Sequence, residues 1–205
     1  MNKKYKAILI FGPPGIGKST QGKMLVDSNK SFFYLSESEI LRNFTKKKDG
    51  DFDLQKKVAK FITSGKLIPD DLAIKLFFKA LDRLKKEREI NANKILVLDG
   101  IPRNLNQVNL IEGKVEVIKI IYLYSLDNSV LVQRIKKRLR IEKRTDDQDI
   151  NIVKNRIESY IKETLLVLDR FPKNNIINID GLDTIKHIHQ TIIKKVILPK
   201  KGLAI

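Results

Sequence analysis

The residues with the clearest chemical meaning form the run Gly12–Ser19, which reads GPPGIGKS. An apolar run, Ala7–Phe11, precedes it, and the helix-compatible stretch Thr20–Val26 follows it. Glycines let successive backbone N–H groups point into one concavity, and the positive end of the next helix adds its dipole. Such a concavity binds a polyphosphate: Lys18 would reach the outer phosphates, and the Ser19 hydroxyl is placed to ligate Mg2+. The strand-loop-helix context therefore favours a phosphate loop over a glycine-rich turn with an incidental lysine.

A carboxylate ends a second apolar run, Lys94–Asp99. A continuous apolar run is expected of a parallel strand that is buried on both faces. At the carboxyl end of this strand, Asp99 can reach Mg2+ or its bound waters beside the phosphate loop. An aspartate after a strand is more often a helix cap, but the residues that follow, Ile101-Pro102-Arg103 and then Gln107, favour the functional interpretation.

Six arginines are candidates for binding the phosphates. Guanidinium groups are planar, permanently charged and able to hold phosphate oxygens in pairs. For any one of these arginines a solvated surface position is as good an interpretation as a functional one. Six of them in a chain with a phosphate loop indicate a site for a polyanion. The six are Arg42, Arg103, Arg134, Arg138, Arg144 and Arg156.

Strands and helices must bring these groups together. The aromatic run Ser31–Leu35 predicts a second strand, and Val117–Tyr124 and Ile176–Ile179 predict a fourth and a fifth. Ser36 and Glu39 have the capping-box spacing, in which each side chain bonds the other's backbone N–H, and this predicts a helix start.

Three further helices follow from the sequence pattern. The first covers Asp53–Ser64. Pro69 and two aspartates then begin a long amphipathic helix that carries core residues from Leu72 to Leu84. A later helix has a continuous apolar stripe from Ile150 to Leu168, with Arg156 off that stripe.

The composition fits one globular domain rather than two. A chain of 205 residues with 42% apolar content can bury a sizeable core. The absence of cysteine excludes disulfides and thiolate metal sites. The basic start Met1–Lys6 and the apolar run after it resemble a signal peptide, but that run ends in the phosphate loop and is interpreted as a core strand. No other stretch approaches the length needed to span a bilayer, so a cytoplasmic protein is expected.

The net charge of +17 permits a nucleic-acid partner. Most of the excess is lysine spread over predicted helical faces, as in Lys46-Lys47-Lys48 and Lys85-Lys86. Arginines and aromatic residues do not interleave, so solvated faces are the favoured interpretation.

Taken together, these motifs resemble the adenylate kinase family of nucleoside monophosphate kinases, and the resemblance covers nearly the whole chain. The matching segments, in order, are GPPGIGKSTQ (12–21), Leu-Arg (41–42), GKLIPDD (65–71), LDGIPRNLNQ (98–107), QRIKKR (133–138), RTDD (144–147) and IDG (179–181). The resemblance implies an α/β fold, a P-loop NTPase-like five-stranded parallel sheet flanked by helices. It also implies a helical NMP-binding insertion over residues 36–68 and a short lid over residues 138–145. Only five residues separate Arg138 from Arg144, and the missing cysteines agree that there is no zinc lid.

The resemblance also implies roles, carried over by motif position. The ATP site would comprise Gly12, Gly15, Ile16, Gly17, Lys18, Ser19, Thr20, Arg134 and Arg138, with Arg134 stacking on the base. The monophosphate site would comprise Glu37, Arg42, Lys66, Leu67, Ile68, Gly100, Ile101, Pro102, Arg103, Gln107, Arg144 and Arg156. The catalytic groups would be Lys18, Arg103, Arg138, Arg144 and Arg156. Ser19 and Asp99 would hold Mg2+ directly or through water.

Two positions depart from the family pattern. Where the family usually reads Ser-Thr-Gly-Asp before Leu-Arg, this chain reads Ser36-Glu37-Ser38-Glu39. Glu37 would reshape the base pocket and could accept a hydrogen bond from an exocyclic amine, which uracil and thymine lack. The interval from Arg144 to Arg156 is one residue longer than the family's usual spacing, which would rotate Arg156 by about 100° on its helix.

The implied activity is reversible transfer of the γ-phosphoryl group of MgATP to a nucleoside monophosphate, with AMP as the favoured acceptor, by a monomer. The partners would be ATP and the monophosphate, without membrane or nucleic acid. A UMP/CMP-type kinase is the nearest alternative. A different small-molecule kinase would keep Lys18 and Asp99 but would have no need of Arg42, Arg103 and Gln107. A non-catalytic or RNA-associated P-loop protein would explain the charge and the altered segment at residues 36–39.

Overall fold

The centre of the molecule is a five-stranded parallel sheet with the strand order β2-β3-β1-β4-β5. The computed structural model describes residues 4–46, 51–91, 93–127, 129–135 and 150–197. The predicted fold class, a five-stranded parallel sheet flanked by helices, is confirmed. The strands are β1 (Tyr5–Phe11), β2 (Phe32–Ser36), β3 (Ile95–Asp99), β4 (Val115–Tyr124) and β5 (Ile176–Asp180).

Helices cover both faces of this sheet. Helices α4 and α5 pack on one face, and α1 and α8 pack on the other. Among the described residues, no helix is long and apolar enough to cross a membrane. The helices are α1 (Lys18–Ser28), α2 (Glu37–Thr45), α3 (Phe52–Ser64), α4 (Asp70–Lys86), α5 (Leu105–Glu112), α6 (residues 129–135), α7 (Ile150–Ser159) and α8 (Ile185–Val196).

Strand β1 shows why the sheet has two apolar faces. Successive side chains of a strand point to opposite faces. Ala7 and Leu9 therefore join the core under α4 and α5, whereas Ile8 and Ile10 join the core under α1 and α8. The apolar run before the phosphate loop is thus buried on both sides, as the sequence predicts for a parallel strand.

A separate apolar cluster lies under the helices α2, α3 and α4. Leu41 comes from α2, Val58 from α3 and Leu76 from α4, and Ile68 lies in the loop between α3 and α4. This cluster gives the predicted helical insertion an apolar core that it shares with α4. The boundaries of that insertion at residues 36 and 68 stay a prediction, and the predicted lid lies outside the described residues.

The predicted helix start is confirmed, since α2 begins at Glu37, but the predicted capping box is wrong. Ser36 is the residue before the helix, but its side chain makes no capping hydrogen bond. Ser36 is also the last residue of β2 and is buried, and the Glu39 carboxylate pairs with Lys23 at 3.0 Å instead. The strand that leads into the helix and a partner on α1 therefore override the local capping signal.

The predicted continuous helix over residues 150–168 changes type twice. Helix α7 ends at Ser159, a π-helical turn covers Tyr160–Thr164, and a 3-10 helix covers Leu165–Arg170. The π and 3-10 types each differ from the α-helix by less than one residue per turn, so the spacing of apolar residues over one or two turns does not reveal the change.

Gly22 in α1 offers a test of packing between this helix and β2. A Cβ atom at Gly22 would lie 2.6 Å from Tyr34 Cδ2, which is an overlap. We expect Gly22→Ala to lower the free energy of unfolding by about 1 to 3 kcal/mol, and the melting temperature by about 2 to 12 °C. Gly113→Ala is the matched control, because a Cβ there meets nothing within 4 Å and its φ is −67°. Thermal and urea unfolding of both variants measures the difference, and equal stabilities would contradict the overlap.

Candidate active site

The candidate site lies at the edge where the parallel strands β1, β2 and β3 end. In the sheet register, Ile10 of β1 pairs with Asp99, and Ser36 of β2 also pairs with Asp99. Since parallel strands point the same way, the phosphate loop after β1, Asp99 and the start of α2 are brought together there. Ligands of open α/β sheets bind at this carboxyl edge.

The backbone of the phosphate loop requires glycine at two close approaches. A Cβ at Gly12, whose φ is +148°, would overlap the carbonyl oxygen of Leu123. A Cβ at Gly15, whose φ is +83°, would lie 2.9 Å from the carbonyl oxygen of Leu131 in α6. The ammonium group of Lys18 donates to the carbonyl oxygens of Gly12 at 2.8 Å and Pro13 at 3.1 Å. The loop therefore folds around the lysine that the sequence analysis singled out.

A cleft of about 210 Å³ contains this loop and most of the predicted residues. Phosphate-loop groups line it together with arginines from distant parts of the chain, so groups suited to two phosphate-bearing ligands share one space. The predicted residues that line it are Gly12, Gly15, Gly17, Lys18, Ser19, Thr20, Arg42, Leu67, Asp99, Gly100, Ile101, Pro102, Arg103, Arg134 and Arg156.

A smaller cavity of about 50 Å³ lies between α2 and α3. It shares Leu67 and three arginines with the main cleft. Among the predicted monophosphate residues, its lining comprises Glu37, Arg42, Lys66, Leu67, Ile68, Arg103 and Arg156. Arg138 and Arg144 lie outside the described residues, and Ile16 and Gln107 line neither cavity.

Asp99 is held by a tyrosine that the sequence analysis did not single out. The Tyr34 hydroxyl donates to Asp99 Oδ2 at 2.8 Å. Burial and the neighbouring Asp99 carboxylate raise the pKa of Tyr34, so its hydroxyl stays a donor. The described residues include no cluster of three or more His, Cys, Asp or Glu side chains suited to a metal. A metal here would therefore depend on Ser19, Asp99 and oxygens of a ligand.

Glu37 forms a buried ion pair with Arg103. Arg103 Nε lies 2.5 Å from Glu37 Oε2, and the two side chains are 25% and 3% exposed. Burial raises the pKa of the Glu37 carboxyl, and the Arg103 guanidinium opposes that rise. The hydrogen bond that Glu37 would accept from an exocyclic amine stays a prediction, and in this structure its carboxylate has a protein partner, Arg103.

Gln107 is fully buried and forms a hydrogen bond with the backbone of Arg103. Its Oε1 accepts from the Arg103 N–H at 2.8 Å, and its Nε2 donates to Asp70 Oδ1 at 2.8 Å. Asn104 and Asn106 also donate to the Asp70 carboxylate, each at 2.9 Å. The sequence analysis assigned Asp70 only to a helix start, because nothing local links it to residues of α5.

Arg134 and Arg156 both face the cleft. Arg134 Nη1 donates to the carbonyl oxygen of Gly181 at 2.7 Å, and Nη2 donates to that of Leu182 at 3.4 Å. The sequence suggested that one extra residue rotates Arg156, yet Arg156 lines both cavities. Sequence reasoning missed three neighbours in the same wall, Ser159, Tyr160 and Thr164, which follow Arg156 without a motif of their own.

Comparisons with known proteins match the part of the chain that forms this cleft. The adenylate kinase family model matches residues 10–176. The adenylate kinase of Azobacteroides pseudotrichonymphae genomovar. CFP2 is 30% identical over 192 residues, which cover 91% of this chain and 95% of that protein. The adenylate kinase of Prochlorococcus marinus subsp. pastoris (strain CCMP1986 / NIES-2087 / MED4) is 35% identical over 173 residues, with coverages of 82% and 84%. That of Orientia tsutsugamushi (strain Boryong) is 29% identical, with coverages of 91% and 97%.

Asp70 provides a pH-dependent test of the hydrogen bonds around Gln107. Burial alone would raise the pKa of Asp70, but the hydrogen bonds from Asn106, Asn104 and Gln107 outweigh it and lower the pKa. A lowered pKa adds stability that is present above the unfolded pKa of about 3.9 and lost as pH falls through the folded value. We expect Asp70→Asn to cost about 1 to 3 kcal/mol at pH 7 and progressively less below about pH 4. Urea unfolding of both proteins between pH 3 and 7 measures this, and a difference independent of pH would contradict it.

Proposed function

The chain belongs to the adenylate kinase family of phosphotransferases, and we propose that it transfers the γ-phosphoryl group of MgATP reversibly to AMP. The main support for this proposal is that the phosphate loop and several arginines line one cleft. Lys18 and Ser19 of the phosphate loop line it together with Arg42, Arg103 and Arg156. Such a lining suits two nucleotides whose phosphates meet, because cations then face both polyanions.

The donor set near the phosphate loop fits Mg2+. Mg2+ prefers hard oxygen ligands and usually keeps several waters beside one or two carboxylates and the phosphates of its nucleotide. The Ser19 hydroxyl and the Asp99 carboxylate, which both line the cleft, are ligands of this kind and would hold the ion directly or through water. When bound, Mg2+ would neutralise charge on the phosphates of ATP.

The proposed chemistry requires no general base. The attacking phosphate oxygen of AMP is already anionic, so the barrier arises from repulsion between two polyanions and from charge that spreads over the transferred group. Lys18 would bind the outer phosphates of ATP, and Arg103 and Arg42 would bind the phosphate of AMP. These charges act by preorganised electrostatics, and the two sites would hold donor and acceptor in line.

The finer assignments are part of the same proposal. Arg134 would stack on the base of ATP, and residues 36–68 would form the domain that binds the monophosphate. Residues 138–145, with Arg138 and Arg144, would form a short lid that excludes water, because ATP exposed to water would otherwise be hydrolysed. Cytoplasmic location and a monomeric state stay predictions.

Removal of the Lys18 ammonium group tests the phosphate loop. We expect Lys18→Ala to lower kcat by about 100-fold or more, because one preorganised charge is lost from the transferred group. The matched control is Lys23→Ala on the same helix, whose side chain is 59% exposed and pairs with Glu39. Steady-state ADP formation measures both, and near-normal turnover of Lys18→Ala would exclude the proposed role.

A panel of acceptors tests the reaction itself. ADP formation from MgATP should require a monophosphate and should be fastest with AMP among AMP, CMP, GMP, UMP and their deoxy forms. A preference for UMP or CMP would overturn the AMP assignment while keeping the kinase. ATP consumption at the same rate with and without any monophosphate would overturn the kinase proposal.

A further inference from the structure

The contact between Glu37 and Arg103 involves only one edge of the guanidinium group. Arg103 Nε lies 2.5 Å from Glu37 Oε2 and also donates to the carbonyl oxygen of Gly100 at 3.1 Å. Among the described residues, Arg103 donates hydrogen bonds from its backbone N–H and from Nε, and none from its two terminal nitrogens. A guanidinium held at Nε keeps its terminal N–H groups for a phosphate, which they can bind in pairs.

The Glu37 carboxylate and the phosphate loop line different cavities. Arg103 lines both the main cleft and the smaller cavity, whereas Glu37 lines only the smaller one. The Glu37 side chain is 3% exposed, so a bound nucleotide in the main cleft would meet the arginine and not the carboxylate.

The backbone of Arg103 is fixed from another direction. Gln107 Oε1 accepts from the Arg103 N–H, and the Gln107 amide is itself oriented by Asp70. The main chain of Arg103 is therefore held by α5, while its side chain is held by the first residue of α2. Both ends of a long, flexible side chain are constrained before any ligand arrives.

From this geometry we propose that Glu37 is a positioning residue for the monophosphate, which fixes the Arg103 guanidinium with its terminal nitrogens facing the cleft. This inference rests on the proposed function, because Arg103 is the group assigned to the phosphate of AMP. An arginine that is already ordered loses less rotamer freedom when the phosphate binds. Ordering a long side chain on binding weakens affinity about 3- to 10-fold, so we expect a change of this size in the Kd of the monophosphate when Glu37 no longer holds Arg103.

Two other roles for Glu37 predict different results. If the carboxylate competes with the phosphate for Arg103, its removal strengthens binding of the monophosphate. If Glu37 binds an exocyclic amine of the base, its removal weakens binding of the nucleoside as much as that of the nucleotide. Only the positioning role requires both a phosphate on the ligand and Arg103 on the protein.

The experiment compares Glu37→Gln with Glu37→Leu. Glutamine keeps an acceptor oxygen for Nε–H but removes the charge, whereas leucine removes both at a similar side-chain size. Equilibrium titration measures the Kd of adenosine and of the monophosphate that the wild type binds most tightly, and steady-state kinetics give the KM values. We expect Glu37→Leu to weaken the monophosphate about 3- to 10-fold, with Glu37→Gln closer to wild type. The KM of MgATP and the Kd of adenosine should change less than about twofold, since neither ligand places a phosphate against Arg103.

A double-mutant cycle tests whether Glu37 acts through Arg103. The Glu37→Leu change should have no further effect on the Kd in an Arg103→Ala background, because the side chain it orients is gone. Glu112→Leu is the matched control, since Glu112 pairs with Arg170 at 3.5 Å through exposed side chains outside the cleft. Thermal unfolding of every variant confirms that it is folded. If Glu37→Leu does not fold, Glu37→Gln still measures the effect of removing the Glu37 charge on the Kd of the monophosphate.

Three results would contradict the positioning role of Glu37. Tighter binding of the monophosphate in both variants, equal losses for adenosine, or an undiminished effect in the Arg103→Ala background would overturn it. A wild type that binds AMP without forming ADP would refute the proposed reaction, while the titration would still report on Glu37. A wild type that binds no monophosphate would overturn both.

Discussion

The pairing of β1 with β3 in parallel is the constraint on which the rest of the cleft depends. It sets Ile10, at the end of one strand, beside Asp99, at the end of the other. From this shared edge one segment continues through the phosphate loop into α1, and the other continues through Gly100 toward Arg103. The loop that carries Lys18 and a carboxylate that suits Mg2+ are thereby neighbours, although eighty residues separate Lys18 from Asp99 in sequence. Burial of β1 on both faces makes the pairing costly to shift, since slippage by one residue would move Leu9 and Ile10 into the cores of the opposite faces and disrupt the packing of both.

Protein oxygens already surround several cations of the cleft. Carbonyl oxygens of the loop accept from Lys18, those after β5 accept from Arg134, and Arg103 contacts both the Gly100 carbonyl and Glu37. Mutually repelling cations would otherwise move apart or point into water. Groups held in place before a ligand binds need little reorganisation when charge develops, and this is how preorganised sites lower a barrier.

The sequence predicts the parts of this site that have local signals. The phosphate loop, the strand before it and the carboxylate at the end of β3 each follow from residues that are adjacent in sequence. The contacts of Glu37 with Arg103 and of Gln107 with Asp70 do not follow from adjacent residues, because the two members of each contact lie in different parts of the chain. The capping box at Ser36 is the reverse case, in which a local signal is present but the predicted contact does not form. Its spacing is correct, but burial at the end of β2 and the pairing of Glu39 with Lys23 decide where those side chains go.

The stretch of chain that contains the π-helical turn at Tyr160–Thr164 contributes to both the cleft and the core. Arg156 faces the cleft, and Val167, eleven residues later, is fully buried against the sheet. On an uninterrupted α-helix these two positions would point within about 20° of each other. The wider turn rotates less per residue than an α-helix and the tighter helix after it rotates more, so the two changes oppose each other along this stretch. The wall of the cleft formed by Ser159, Tyr160 and Thr164 is thereby tied to the core through Val167, only three residues further on.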